Sequence, residues 1–342
     1  MRSVVATICL LLWVCLSLWA SAAVAADPID IFECNRRLGR GVNLGNFLEA
    51  PRGQNWGVTI KDEHFEAIKR IGFDSIRLPV RWPDYALADA PYTIEPDFFS
   101  KVDRLLDLAE NVGLNVVLNI HHYESLDQDP QSQRPRFVAL WKQIGERYAS
   151  RPDSLYFELS NEPHDQLSQH WNAILRDALA AVRQSNPSRP VIIGPPDWNG
   201  IRTLPELDLP DDPRLIVTVH MYNPFDFTHQ GASWAPERVQ KIKNLSWGTE
   251  AERQALEQEM DQAAEWAKQH NRPMYLGEFG AYSAAPMESR IRWTGAIVRA
   301  AEARNMSWAY WEFAAGFGIY DAESARWREP LLRALLPVAD QK

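Results

Sequence analysis

Five segments of this 342-residue sequence bring reactive side chains to the ends of apolar runs. They are Ile120-His121-His122-Tyr123-Glu124, Ser160-Asn161-Glu162-Pro163-His164, Val219-His220-Met221-Tyr222, Gly277-Glu278-Phe279-Gly280 and Tyr310-Trp311-Glu312-Phe313. Glu162 and Glu278 are the pair to weigh. Two carboxylates at the mouth of one apolar, aromatic-rimmed cleft can divide acid and base roles if their surroundings push their proton affinities apart. Arg77 beside one of them would hold that one ionised. Glu124 and Glu312 read instead as solvated loop and rim positions. Other chemistries fit poorly, because the sequence has no Gly-x-Ser-x-Gly elbow, no His-Glu-x-x-His and no Cys/His metal spacing. His121 and His122 are adjacent on a strand, so they are expected to point to opposite sides and not to share an ion.

These residues need a scaffold that gathers strand ends. β-like apolar runs recur at Arg40–Asn46, Phe73–Trp82, Leu114–His122, Leu155–Glu162, Pro190–Pro195, Leu215–Tyr222, Pro273–Phe279 and Ser307–Phe313. Helical patterns lie between them. One is capped by Thr59, carries Phe65, Ile68 and Ile71 on one face and ends before Gly72. Others run over Phe98–Val112, Arg136–Tyr148, Trp171–Arg183, Glu250–Gln269 and Glu288–Arg304. Eight alternations predict an α/β fold, a single (β/α)8 TIM barrel, whose active site lies where the strands end. A doubly wound open sheet would show its Gly-x-Gly-x-x-Gly turn after the first strand, and none is present. The strand period of two turns Ile76, Leu78 and Val80 toward the helices, with Ser75 and Arg77 facing the lumen. It likewise aims Glu158, Ser160 and Glu162 inward, together with Thr218, His220 and Tyr222. Charged groups inside a barrel must be paired, so they form either a buried structural network or a reaction centre.

Apolar residues make up 46% and charged residues 24% of the chain, an ordinary globular composition. The net charge of −9 argues against nucleic acid as a partner. Fourteen Trp and ten Tyr supply flat surfaces on which sugar rings stack. Residues 1–26 have the order of a secretory signal peptide: Arg2, an apolar run from Val4 to Ala20, then small residues to Ala26. The run falls short of the ~20 residues needed to span a bilayer. The mature catalytic domain is expected to be residues 27–342, secreted or periplasmic and off the membrane. Its single cysteine, Cys34, reads as a half-buried thiol near the N-terminus.

Taken in order, Gly41-Val42-Asn43-Leu44-Gly45-Asn46, Ile76-Arg77-Leu78-Pro79, His121-His122-Tyr123, Leu159-Ser160-Asn161-Glu162-Pro163 and Gly277-Glu278-Phe279-Gly280 closely resemble the family 5 glycoside hydrolases. The resemblance is to the cellulase and endoglucanase branch. His220-Met221-Tyr222-Asn223-Pro224-Phe225 and Phe227-Thr228-His229-Gln230-Gly231-Ala232 look like a bacterial subgroup that often also accepts mannan or glucomannan. It implies a retaining, endo-acting enzyme on a β-1,4-glucan, with Glu162 as acid/base and Glu278 as nucleophile. The same likeness makes Arg77 the residue that steadies the nucleophile, Tyr222 the phenol beside it and Asn161 the partner of the sugar 2-hydroxyl. His121, His122, His220 and Trp311 match groups around the cleaved sugar. Asn46, Glu49, Trp198, His229 and Trp234 match neighbouring subsites. Met221 and Ala314-Ala315 depart from the subgroup, beside the sugar.

Glu162 should start protonated, raised by the charge of Glu278 and by partial burial. No metal or organic cofactor is implied, and the partner is a β-linked polysaccharide or oligosaccharide met by a monomer. A β-mannanase, a xyloglucanase or a barrel that binds polysaccharide without cutting it are the competing readings. Mass spectrometry of the exported protein should find a mature N-terminus at Asp27; a retained Met1 contradicts the signal peptide.

Overall fold

Eight short parallel strands pair in chain order and close into a barrel. They are β1 (Arg40–Asn43), β2 (Ser75–Leu78), β3 (Asn115–Asn119), β4 (Leu155–Glu158), β5 (Val191–Ile193), β6 (Leu215–Met221), β7 (Met274–Phe279) and β8 (Ser307–Tyr310). Closure is made by β1 against β8, with Arg40 opposite Trp308 and Val42 opposite Tyr310. This computed structural model describes residues 30–337. The expected signal segment lies outside them.

The two faces of each strand separate as the period of two requires. Ile76, Leu78, Leu155, Phe157, Leu159, Leu215, Val217 and Val219 belong to the outer core, shared with helical residues such as Phe65, Ile68 and Phe98. The principal helices fall where the periodicity places them, including Pro96–Asn111, Pro130–Arg147, Gln166–Ser185, Glu250–His270 and Met287–Ala303. The helix Asp62–Ile71 is capped at Lys61 rather than at Thr59. Its end is as expected, since Gly72 takes the left-handed conformation (φ 111°) that a Cβ would oppose.

A different group fills the lower lumen. The N-terminal helix α1 (Ile31–Leu38) closes the barrel floor, packing Ile31, Cys34 and Leu38 against Val117, Tyr156, Ile192, Ile216, Tyr275 and Ala309. Cys34 is therefore fully buried, not half-buried, and Arg37 Nη2 lies 3.1 Å from its sulfur. The Tyr156 hydroxyl donates to the Cys34 carbonyl at 2.8 Å, tying β4 to the plug.

Most strands are shorter than the apolar runs suggest. β3 stops at Asn119 and β4 at Glu158, so His121, His122, Asn161 and Glu162 stand beyond the paired segments. Between β6 and β7 the register slips: Val219 faces Leu276, whereas His220 faces Glu278. The extra residue is Gly277, where a Cβ would fall 2.6 Å from Thr218 Oγ1 and 3.0 Å from His220 Nε2. Such a bulge re-aims the side chains beyond it, and here it sets Glu278 beside His220.

Because the plug lies at the opposite end from the strand C-termini, stability and chemistry should separate there. Leu38→Ala removes a fully buried side chain, and should cost about 2–5 kcal/mol in urea denaturation. Its kcat/KM should stay at the wild-type value. An unaltered midpoint would contradict the role of α1 as part of the core.

Candidate active site

Arg77, at the centre of β2, has no exposed surface. A buried guanidinium needs acceptors for its five N–H groups. It finds them on four neighbours. Nε and Nη2 fork around Glu158 at 2.6 and 3.2 Å, and Nη2 also reaches Asn161 Oδ1 at 2.7 Å. Nη1 donates to Glu278 Oε1 at 2.7 Å and to Asn43 Oδ1 at 2.8 Å. Asn43 in turn donates to the Gly277 carbonyl at 3.0 Å, linking the guanidinium to the bulge. The inward placement of Arg77 and Glu158 follows the strand periodicity.

Glu278 accepts from the Tyr222 hydroxyl on its other oxygen, at 2.9 Å. Burial raises its proton affinity, while His220, Arg77 and the Tyr222 hydroxyl act against that shift. Burial and the neighbouring carboxylates push the Tyr222 phenol well above its ordinary value, so it keeps its proton. Glu162 has a different environment. Its Oε1 meets only His220 Nδ1, at 2.6 Å, and burial pushes the carboxyl up to about 7 against the opposing charges of Arg77 and His164. The repulsion expected to act on Glu162 is instead felt at Glu278.

Burial drives His220 down to about 4, which leaves the ring neutral. Asn199 Nδ2, which donates to the Asn161 carbonyl, lies 3.4 Å from His220 Nε2. That nitrogen is then the acceptor, and Nδ1–H faces Glu162. One donor atom from each of Glu162, His220 and Glu278 lies within 4.8 Å of the others, a grouping that could hold a metal ion. The hydrogen bond between two of them occupies that space here.

His121 and His122 do not diverge as expected. Beyond the end of β3 their rings meet edge to face at 4.7 Å. His121 stacks on Trp311 at 5.5 Å and 6°, and His122 meets Trp56 at 5.9 Å. Burial pushes His122 down to about 4 and His121 well below its ordinary value. Gly45 makes room for Trp311, since a Cβ there would lie 2.9 Å from the indole edge. On the β4 side, a cleft of about 260 Å³ is bordered by His121, His122, Glu162, His164 and Trp198. Trp198 is 48% exposed and stacks on His164 at 5.1 Å. It sits in a left-handed turn, Asp197-Trp198-Asn199, with φ of 59°, 59° and 55°. On the β6 side, His229 meets Tyr222 at 5.0 Å and Phe317 at 5.6 Å. Trp234, 61% exposed, stands edge-on to Tyr282 at 5.0 Å.

The rim acids divide. Glu124 is solvated and paired with Arg81 at 2.7 Å. Glu312 is not at the solvated rim at all; it is fully buried. Its carboxylate turns back into its own loop and accepts from the backbone N–H groups of Ala314, Ala315 and Phe317. Glu49 does the same with the N–H groups of Asn46 and Phe47. Burial pushes both carboxyls up to about 7. Asn46 and Glu49 are thus locked in one turn.

Sequence reasoning assigned no site role to Asn43, Glu158, Asn119, His164 or Trp56. Glu158 carried a signal in its inward phase. Trp56 carried none, because its loop has no periodicity.

The profile for cellulase (glycosyl hydrolase family 5) matches residues 39–316. Endoglucanase H of Acetivibrio thermocellus is 33% identical over 90% of this chain, which spans only a third of that relative's length. Endoglucanase C of the same species is 26% identical, with 87% of this chain and 96% of the relative covered. The solved structure of Thermotoga maritima Cel5A with cellobiose is 48% identical, with a TM-score of 0.88 over 90% of this chain and 100% of that one. A second structure of that enzyme, with mannotriose, matches equally. The chain belongs to the cellulase family, glycosyl hydrolase family 5, and is a glycoside hydrolase of the cellulase type.

Proposed function

We propose that the protein is an exported, endo-acting β-1,4-glucanase that works with retention of configuration, Glu278 being the nucleophile and Glu162 the acid/base. The observation that carries this reading is the approach of the two carboxyl groups, with an oxygen of each within 4.8 Å. Retaining pairs stand ~5–5.5 Å apart, and inverting pairs need ~6.5–9.5 Å to admit a water.

The partners of each carboxyl divide the roles. Glu278 receives a charged N–H from Arg77 and a phenol O–H from Tyr222. Both favour its ionised form. Glu162 receives one neutral imidazole N–H on Oε1, which leaves Oε2 to carry the proton into the cleft. In the first step Glu278 attacks the anomeric carbon as Glu162 protonates the departing glycosidic oxygen. The ester that forms removes the charge of Glu278. Water then enters, Glu162 takes its proton, and the ester is hydrolysed. Asn161 spends its Oδ1 on Arg77, so its amide N–H₂ is free for the sugar 2-hydroxyl. Trp311 and His121 make one wall at the cleaved sugar, and Trp198 and Trp234 offer stacking surfaces further along. The cellobiose and mannotriose complexes of T. maritima Cel5A support a substrate of the glucan or glucomannan type. The site requires neither a metal nor an organic cofactor for these steps.

Two variants and one product assay test the assignment. Glu278→Ala should abolish turnover of soluble β-glucan with its circular dichroism unchanged. Glu162→Ala should still release a good aryl leaving group and should respond to added azide. Proton NMR of a wild-type digest should show the β-anomer first. Hydrolysis at the wild-type rate by Glu278→Ala, or an α-anomer as the initial product, contradicts the reading.

A further inference from the structure

Glu158 is a fully buried carboxylate that the mechanism above does not use. It lies four residues before Glu162, on the lumen face of β4 and below the reacting pair. Two of the five N–H groups of Arg77 are committed to it. The other three serve Asn43, Asn161 and Glu278. No donor is left over, so the guanidinium cannot turn without breaking several charge-assisted bonds. A second tie runs sideways. Asn119 Nδ2 lies 3.3 Å from Glu158 Oε2 and 3.1 Å from His121 Nδ1. The same carboxylate thereby braces the ring stacked on Trp311.

Charge sharing adds to this geometry. Arg77 contacts Glu158 and Glu278 at nearly equal distances, 2.6 and 2.7 Å. One cation facing one carboxylate in a dry cavity would neutralise it and blunt its attack on carbon. One cation divided between two carboxylates leaves the group net negative, with Glu278 at the sugar and Glu158 beneath. We propose that Glu158 is a positioning residue for the nucleophile: it fixes the Arg77 fork and takes up part of its charge, so that Arg77 aims Glu278 without quenching it. This inference rests on Glu278 being the nucleophile.

The test is a double-mutant cycle on purified full-length protein, using Glu158→Gln, Arg77→Lys and the double variant. Turnover is measured on an activated aryl cellobioside and on cello-oligosaccharide. Glu158→Gln keeps the shape but removes the charge. Its kcat should fall on the order of 100-fold on both substrates, the scale of a misplaced reacting group, with KM within about threefold of wild type. Loss on the activated substrate separates it from an acid defect. In the Arg77→Lys background the same substitution should cost far less, because the two residues act as one unit. Glu158→Asp keeps the charge and should recover part of the loss. It carries the test alone if the Gln variant fails to fold, with an expected fall of about tenfold in kcat at unchanged KM.

A Glu158→Gln protein with wild-type kcat, additive losses in the cycle, or an Asp variant altered only in KM overturns the proposal. Wild-type turnover and the Glu278→Ala loss report on the enzyme reading itself. Ratios among the Glu158 variants report on Glu158.

Discussion

A guanidinium sealed inside a barrel must be neutralised, and that requirement organises this site. Arg77 has no water to turn to, so every N–H it carries is matched by a protein acceptor. Arg77 stands on β2, and its acceptors come from β1, β4 with the residues just beyond it, and β7. The cation is therefore the point at which four strands agree on their relative heights. Leaving a buried charge unpaired costs about 3–5 kcal/mol, so this network is also a strong constraint on the fold. Around it the two reacting carboxyls acquire unlike surroundings. Glu278 is held by a cation and a phenol, Glu162 by one neutral imidazole.

The rest of the molecule serves that separation at a distance. The plug formed by α1 excludes solvent from below, which keeps the lumen dry and its electrostatics strong. The outer helices fix the strands, and the bulge at Gly277 brings Glu278 into line with His220. Above, Trp311 stacks on His121 and Trp198 on His164, so each indole is held by a neighbouring imidazole. Acidic groups that could have blurred the assignment are withdrawn. Glu49 and Glu312 spend their oxygens on backbone amides of their own loops.

Much of this was legible in the amino-acid order. Alternation along β2, β4 and β6 placed Arg77, Glu158, His220 and Tyr222 inward, because a strand's period leaves no other choice once its apolar face is set. The eightfold recurrence gave the barrel for a similar reason. What escaped notice depended on tertiary contacts. Glu312 looked like a rim acid, yet backbone amides two to five residues further on fold around it. His121 and His122 were expected to diverge, but β3 ends at Asn119 and the pleat no longer governs them. Trp56 lies in a loop without period and meets His122 only in three dimensions. The cap at Lys61 replaced Thr59 because a polar residue two positions early marks a helix start only loosely.

The central claim is that the two glutamates bind protons with different strength. Carbon-13 NMR of protein labelled at the glutamate side-chain carboxyls measures this directly. Glu49, Glu162 and Glu312, all raised by burial, should titrate near 7, and one of these resonances should vanish in Glu162→Gln while persisting in Glu278→Ala. A resonance near 7 that disappears with Glu278 and survives the loss of Glu162 would contradict the account.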